Sequence, residues 1–282
     1  MSRNLTVNQI ASFDARVKAA YELGGLLRNT VELADNIVGA THRFNKMGKG
    51  LATRRIDQTD VVPMNIIHGN ATATLEDWNA AEYTGIFNQQ KVNYKEQDKL
   101  AKIIANAIGR REDQLILDAL DAAATTLTVD TNVGGAGTDL NTAKIRRAAR
   151  LLNAKGVPRG KGERTLVVSA TGMESLLGDP DASTIDKNTI KILYDGEISH
   201  WIGFEFIMME DRDEGGLPKA AALRTSFAYH KASAGLAVGI NMRTEVNYIP
   251  VKTSWLANGL FSAGSVAIDA DGIVEITTTE AA

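Results

Sequence analysis

Residues 94–124 read YKEQDKLAKIIANAIGRREDQLILDALDAAA and predict the longest helix of the chain. Their apolar side chains recur with a period near 3.6 residues, which is typical of a helix with one buried face. That face comprises Leu100, Ile103, Ile104, Ala107, Ile108, Leu115 and Ala119. Roughly 30 helical residues span about 45 Å, much more than the average helix of a globular protein. We therefore expect a structural spine.

Gly109 lies inside this helix. Glycine in a helix interior costs about 1 kcal/mol relative to alanine, so we expect a continuous helix with a bend or a close contact at this point. The four charged residues that follow, Arg110–Asp113, are expected to face outward or toward a neighbouring subunit. Ile104, Ile108 and Leu115 are expected to lie against a sheet.

The chain upstream of the helix, residues 31–85, is expected to form an extended β loop region, with strands predicted at Val31–Val38, Thr41–Phe44 and Val61–Ile67. Between Thr41 and Ile56 there is no acidic residue and there are five basic ones: Arg43, Lys46, Lys49, Arg54 and Arg55. An isolated two-stranded hairpin is marginally stable in water, so this one should rest on something else. It is either a solvated charged loop or an interface element that contacts an acidic partner surface.

Residues 1–30 predict an N-terminal arm that contains a short amphipathic helix. Thr6–Gln9 has the Thr-x-x-Gln form of a capping box, and Gly24-Gly25 is the expected end of the helix. Four apolar residues at helical spacing are candidates for a subunit interface: Ile10, Phe13, Val17 and Tyr21. The helix either docks on its own domain or packs on a neighbouring subunit.

The chain beyond the long helix predicts an α/β lobe at residues 136–224. Asp139 or Asn141 can cap a helix that Gly156 and Pro158 end. Its buried face is predicted to be Ile145, Ala148, Ala149 and Leu152. Strands are predicted at Thr165–Ser169, Phe204–Met209 and Ala220–Leu223, and short elements at Thr171–Leu177 and Ile190–Leu193.

The last quarter of the chain is predicted to be rich in strands. These lie at Gly235–Val238, Arg243–Ile249, Gly264–Ile268 and Ile273–Thr277. Asp271-Gly272 immediately precedes the last of them and is a hairpin turn signal.

Composition argues against several classes of protein. The net charge of −3 provides no general attraction to nucleic acid. There is no cysteine, which removes disulfides, thiolate metal sites and cysteine nucleophiles together. No run of about 18 apolar residues, as a membrane-spanning helix needs, is present, so no membrane partner is expected.

No catalytic, cofactor-binding or metal-binding residue is identified. The histidines, His42, His68, His200 and His230, lie far apart, whereas zinc sites usually bring some ligands at short spacing. The segment GVPRGKG at 156–162 lacks the spacing and the hydroxyl of a phosphate loop. The acidic loop Glu210–Gly216 is expected to be solvated. We therefore expect that the protein is not an enzyme.

Several short motifs occur in an order that resembles one family. They are FNKMGKG (44–50), VVPMN (61–65), YTGIF (83–87), GRREDQ (109–114), IGFE (202–205) and YHKA (229–232). Together with the layout above, they resemble the major capsid proteins of tailed bacteriophages, over roughly residues 5–277. The resemblance implies an α+β protein with the Hong Kong 97-like fold. Its implied parts are an N-terminal arm (1–30), an extended β loop (31–85), a peripheral domain with the spine helix (86–135 and 225–282) and an axial domain (136–224).

The resemblance also implies a function. The chain would self-assemble through hexameric and pentameric capsomers into an icosahedral shell that encloses phage DNA. Because no long scaffolding extension precedes the arm, assembly would be guided by a separate scaffold protein or by none. A portal protein would be a further partner, and packaged double-stranded DNA would lie nearby without specific contacts. The protein would be part of the virion capsid, assembled in the host cytoplasm. Two alternatives stay open: an encapsulin-type nanocompartment shell protein, and an α/β nucleotide- or small-molecule-binding enzyme resting on residues 140–223.

Overall fold

The computed structural model describes residues 24–58, 60–86, 96–179 and 200–280. The predicted helix around residues 10–21 and the element at 190–193 lie outside these ranges. The described helices are α1 (Glu96–Asp121), α2 (Thr142–Ala154) and α3 (Ala170–Gly178). The strands are β1 (Glu32–Ala34), β2 (Thr41–Met47), β3 (His68–Thr74), β4 (Glu76–Gly85), β5 (Thr128–Val129), β6 (Arg164–Ser169), β7 (His200–Trp201), β8 (Phe204–Met209), β9 (Lys219–Ala220), β10 (Leu223–His230), β11 (Ala234–Ile249), β12 (Ser254–Ala267) and β13 (Ile273–Thr279).

Two large sheets form the body of the protein. The first has the order β1-β11-β12-β4 and is dominated by the long antiparallel hairpin β11–β12. The second has the order β5-β13-β10-β6-β8-β7, with β9 added beside β10. It is mixed, because β6–β8 and β13–β5 are parallel pairs whereas β10 is antiparallel to both of its long neighbours.

Helix α1 connects the two sheets through one continuous core. Ile104 and Ile108 pack on the first sheet at Gly259, where a Cβ would lie only 2.5 Å from either isoleucine. Further along, Ile116, Leu117 and Leu120 belong to the same buried cluster as residues of the second sheet. Full burial of each such side chain stabilises the fold by about 1.5–3 kcal/mol. The predicted spine is therefore confirmed, but its apolar face is confirmed only in part. Ile104 and Ile108 are buried as predicted, whereas Ile103 is exposed, and the fully buried Ile116, Leu117 and Leu120 were not part of the predicted face.

The second sheet is covered on both faces. Val167, Phe227 and Ile273 belong to the cluster that includes α1, whereas Val168 and Val274, their neighbours along the strands, belong to a second cluster. Successive side chains of a strand point to opposite faces, so α1 lies on one face of this sheet. The second cluster contains the buried residues of α2 and α3, which lie on the other face.

Helix α2 is confirmed in detail. Asn141 caps it by accepting a hydrogen bond from the Lys144 backbone N–H, as a helix start of this type requires. The predicted face of Ile145, Ala148, Ala149 and Leu152 is buried. Strand β6 is buried along its whole length, as the sequence predicts.

Three local predictions are wrong. Residues 61–67 have no strand, and His68–Thr74 pairs with β2 instead. Ala220–Leu223 is interrupted at Ala221, which has a positive φ of 54° in the turn between β9 and β10. Asp271-Gly272 does form a turn, but β12 and β13 lie in different sheets, so this is a crossover and not a hairpin. Strand β4, at the edge of the first sheet, was not predicted.

A fourth prediction, that the charged residues after Gly109 face outward or toward a neighbouring subunit, is wrong for two of them. Glu112 and Asp113 do not face outward, because both side chains are buried in the subunit. Gly109 itself makes the predicted close contact, and the helix is continuous through it. The division into four segments at residues 30, 85, 135 and 224 stays a prediction. Strands β10 and β13, which lie largely in the predicted peripheral domain, share a sheet with β6 of the predicted axial domain.

Candidate subunit interface

The basic segment forms an antiparallel hairpin, β2–β3, whose connection spans residues 48–67. Its base is fixed to the body because Phe44 and Ala73 are buried with Ala237 of β11. Phe44 packs so closely on Gly235 that a Cβ there would lie 2.7 Å from its ring. The hairpin therefore rests on the first sheet at its base, as expected from the marginal stability of isolated hairpins.

Two of the five basic candidates bind within their own chain. The Lys46 ammonium lies 2.6 Å from the Asp269 carboxylate, and Lys49 donates to the Lys155 carbonyl oxygen at 2.7 Å. Lys155 in turn pairs with Asp271 at 2.7 Å. We call these three lysines and their two aspartates the lysine latch. It holds the hairpin against the turn between β12 and β13.

The latch has a clear electrostatic effect. The hydrogen bond from Lys155 lowers the pKa of Asp271, and the charges of Lys155, Lys46 and Lys49 act in the same direction. Both ion pairs are partly exposed, so each contributes about 0–1 kcal/mol to stability. The latch therefore sets the position of the loop more than it stabilises the fold.

The other three basic candidates, Arg43, Arg54 and Arg55, are exposed. None of them forms an ion pair with the part of the chain that the structure describes. The structure thus separates the candidates into two intramolecular lysines and three arginines that are available to another molecule. The remaining candidates, Ile10, Phe13, Val17 and Tyr21, lie outside the described residues.

The loop also exposes many large apolar side chains, which the sequence analysis did not single out. They are Met47, Leu51, Ile56, Val61, Val62, Met64 and Ile67. Leu51 is 83% and Ile67 is 81% exposed. Concentrated exposed apolar surface of this kind marks interaction sites. The signal was present as the apolar run VVPMN at residues 61–65, which predicted a strand instead.

The start of the described chain is fixed by a buried carboxylate on α1. Asp113, fully buried, accepts hydrogen bonds from the backbone N–H groups of Leu26 at 3.0 Å and Leu27 at 2.9 Å. Arg212 donates to it at 2.8 Å. Burial raises the pKa of Asp113, while these hydrogen bonds and the Arg212 charge act against the rise. We call this arrangement the Asp113 clamp.

Further contacts hold the residues that follow the Asp113 clamp in the chain. Arg28 pairs with buried Glu112 at 3.0 Å and with Asp35 at 3.1 Å. Leu27 and Val31 are fully buried in the main core. These contacts therefore anchor the segment from Leu27 to Val31 to the body of the subunit.

The acidic loop Glu210–Gly216 is only partly solvated, contrary to expectation. Asp211 pairs with Arg224 at 2.5 Å, and Arg224 also binds the buried Glu280 at 2.9 Å. Glu280 accepts a second hydrogen bond from Ser169. These contacts attach the end of the described chain to the second sheet.

The described residues include no group of three or more histidine, cysteine, aspartate or glutamate side chains arranged to hold a metal ion. Within the same ranges, no helix has the length and apolar character needed to cross a bilayer. The geometry is that of a body with a protruding, partly apolar, cationic loop.

Comparisons with known proteins agree on one family. A family model described as phage capsid protein matches residues 5–280. No curated protein matches the chain. Solved structures do match: the head of Helicobacter pylori bacteriophage KHP40 has a TM-score of 0.78 at 10% identity, covering 95% of both chains. The capsid of cyanophage P-SCSP1u has a TM-score of 0.73 at 13% identity, covering 96% of this chain and 93% of that one.

A third structure, the capsid of Ralstonia phage GP4, has a TM-score of 0.71 at 12% identity, covering 96% of this chain and 95% of that one. At such low identity the structural likeness establishes the fold, which is shared over nearly the full length of each chain.

Proposed function

Because this chain belongs to the phage capsid protein family and has the Hong Kong 97-like fold of phage major capsid proteins, we propose that it builds an icosahedral shell around phage DNA. Its role is structural, and it associates with copies of itself in capsomers. The finer proposal is that hexameric and pentameric capsomers close the shell, and that the extended loop makes the contacts between neighbouring subunits.

One observation carries the proposal about the loop. Residues 47–67 expose seven large apolar side chains that the described part of their own subunit does not cover. Leaving them in water is unfavourable by about 25 cal/mol per Å² of apolar surface. A second copy of the chain could cover them, and a closed shell supplies such a copy at every position.

The exposed arginines of the loop indicate the charge of the surface that it contacts. Arg54 and Arg55 are exposed on the same loop, while the latch already engages Lys46 and Lys49 within the chain. Exposed ion pairs are worth about 0–1 kcal/mol each, but the contact repeats at every copy in a shell. We propose that these two arginines bind an acidic surface of the neighbouring subunit.

Further partners follow from a shell of this kind. A separate scaffold protein would guide assembly, a portal protein would occupy one vertex, and double-stranded DNA would fill the interior. Assembly would take place in the host cytoplasm and the product would be the virion capsid. No enzymatic step is proposed. The division into N-terminal arm, extended loop, peripheral domain and axial domain is retained as a proposal for the folding units.

Sedimentation and negative-stain electron microscopy of the purified full-length protein test assembly directly. We expect closed particles far larger than the 30.3 kDa subunit. A protein that stays monomeric or dimeric, with and without a scaffold protein, would contradict the proposal. Particles that contain a cargo enzyme in place of DNA would favour a nanocompartment shell.

The double substitution Arg54→Glu/Arg55→Glu tests the loop contact. Circular dichroism should be unchanged because both side chains are exposed, while the yield of shells should fall at least tenfold. The matched control is Lys102→Glu/Lys231→Glu, which makes the same change of charge at two exposed positions away from the loop. Normal shells from the loop variant would show that its arginines are merely solvated.

A further inference from the structure

The most uneven distribution of charge lies outside the loop, in residues 140–162. This stretch contains seven basic residues and no acidic one. They are Lys144, Arg146, Arg147, Arg150, Lys155, Arg159 and Lys161. Lys144 is buried and Lys155 belongs to the latch. The remaining five, which we call the α2 basic face, lie on α2 and the turn that follows it.

The geometry of α2 directs its arginines away from the body. Ile145, Ala148 and Leu152 are buried against the second sheet. Arg147 and Arg150 are exposed, since they lie on the opposite side of the helix. Neither forms an ion pair with the described part of the chain.

The turn after α2 is held rigidly by a buried arginine of β6. Arg164 donates hydrogen bonds to the Pro158 carbonyl at 2.8 Å and the Val157 carbonyl at 2.6 Å. It also binds Asn153 at 3.0 Å. These contacts preorganise the turn that carries Arg159 and Lys161, both exposed.

The other face of the same sheet has a mixed charge. There, a cleft of about 530 Å³ beside α1 is lined by four aspartates and three basic residues, which are Asp118, Asp121, Asp211, Asp213, Arg212, Lys219 and Arg224. Since α1 and α2 lie on opposite faces of the second sheet, the two faces differ, because residues 140–162 on the α2 side contain no acidic residue.

The absence of apolar anchors on α2 indicates what kind of partner it binds. Protein interfaces concentrate their energy in buried apolar and aromatic residues, and the loop exposes seven large apolar side chains. Within residues 140–162, all of which the structure describes, no large hydrophobic side chain is exposed. A cationic stripe without apolar anchors is typical of contact with a polyanion.

We infer that the α2 basic face is the surface through which the shell contacts the phosphate backbone of the packaged double-stranded DNA. The inference rests on the proposed function, because it requires that the protein enclose DNA. It also orients the lobe, with α2 toward the DNA. Binding would be independent of DNA sequence. It would weaken as the salt concentration rises, because the release of counterions from the DNA then becomes less favourable.

Fluorescence anisotropy with a labelled 30-base-pair duplex tests this, using the purified full-length subunit at several NaCl concentrations. For wild type we expect a linear fall of the logarithm of affinity with the logarithm of salt concentration. Arg147→Gln/Arg150→Gln should reduce the slope by roughly 1 for each arginine removed. Arg159→Gln/Lys161→Gln should act similarly, which covers the case in which the helix variant fails to fold.

Lys102→Gln/Lys231→Gln is the matched control, since it removes the same charge at exposed positions outside both α2 and the loop. An equal loss of slope in this control would overturn the inference, because net charge alone would explain the result. An unchanged slope in the α2 variant, with shell assembly lost, would overturn it too and make the face a contact between subunits. Shell formation, followed separately by electron microscopy, tells failure of this inference apart from failure of the proposed function.

Discussion

The backbone of Gly109 in α1 passes so close to that of Gly25 that a Cβ on Gly109 would lie 2.5 Å from the Gly25 amide nitrogen. The approach is reciprocal, because a Cβ on Gly25 would lie 2.9 Å from the Gly109 carbonyl oxygen. Glycine at both positions lets the start of the described chain lie directly on the spine helix.

This contact reverses what helix propensity predicts for Gly109→Ala. Propensity alone would stabilise the protein by up to about 1 kcal/mol. However, the new methyl group would meet backbone atoms, and overpacking costs about 1–3 kcal/mol. We expect the free energy of unfolding to fall by roughly 1 kcal/mol net, as measured by urea denaturation. The control Lys102→Ala, at an exposed position of α1, should change it by less than about 0.5 kcal/mol. A stabilised Gly109→Ala protein would show that residues 24–25 move aside freely.

Asp113→Asn tests the clamp. The substitution keeps the shape of the side chain but leaves Arg212, whose side chain is only 8% exposed, without its closest carboxylate. Breaking a buried ion pair costs about 3–5 kcal/mol. We expect the low end of this range because Arg212 retains Glu210 at 3.4 Å. Asp118→Asn, on the exposed side of the same helix, is the control for urea denaturation. Equal midpoints for the two variants would contradict a structural role for the clamp.

Two N-terminal deletions separate assembly from folding. Removing residues 2–23 leaves the clamp intact, so we expect a folded subunit that assembles poorly or aberrantly. Removing residues 2–28 also deletes Leu27 from the core and takes both amide donors from Asp113, so we expect loss of cooperative unfolding. Thermal denaturation and electron microscopy distinguish the two effects. If the shorter deletion still forms normal shells, the arm is not needed for assembly and the prediction is wrong.

Charge exchange tests the lysine latch. Lys46→Glu should repel Asp269, while Lys46→Glu/Asp269→Lys should restore attraction between the same positions. We expect the free energy of unfolding to change by less than about 1 kcal/mol. The rate of tryptic cleavage after Arg54 and Arg55 should rise in the single variant, because the loop is no longer held in place, and should return to the wild-type rate in the double variant. Mass spectrometry of the fragments measures this rate. Identical rates in all three proteins would mean that the latch does not position the loop.

Lys144 makes stability depend on pH in the alkaline range. Burial lowers its pKa from 10.5 to about 8. Between these values the unfolded chain holds the proton and the folded subunit does not, so unfolding takes up a proton and becomes less favourable as pH rises. The contribution to stability therefore increases from pH 8 to 10.5, by at most about 1.4 kcal/mol per pH unit.

Lys144→Met should remove this increase. Comparison of urea midpoints for wild type and variant from pH 8 to 10 provides the measurement, and Lys102→Met is the exposed control. If the difference between wild type and Lys144→Met stays constant over that range, Lys144 keeps its proton in the folded subunit. In the folded state its ammonium or amine donates to the Thr138 carbonyl at 2.5 Å and the Thr277 carbonyl at 3.1 Å.

The elements whose signals are local could be predicted from the amino-acid sequence. The spine helix, the cap at Asn141, the buried face of α2 and the strand β6 all depend on residues within a few positions of one another. Periodicity and capping are properties of a short segment, so they are visible before the chain is folded. The order of short motifs was also sufficient to indicate the capsid family over nearly the whole chain.

Contacts between distant segments could not be predicted in this way and are known only from the folded chain. Asp113 was expected to face outward, but its partner Leu26 is 87 residues away in the sequence. Asp271-Gly272 signals a turn, yet no local property states that the strands on either side belong to different sheets. Likewise, Lys46 and Arg54 are equivalent as sequence and differ only because Asp269 lies beside one of them. Burial and pairing of charges depend on distant segments brought together in space, which local patterns do not encode.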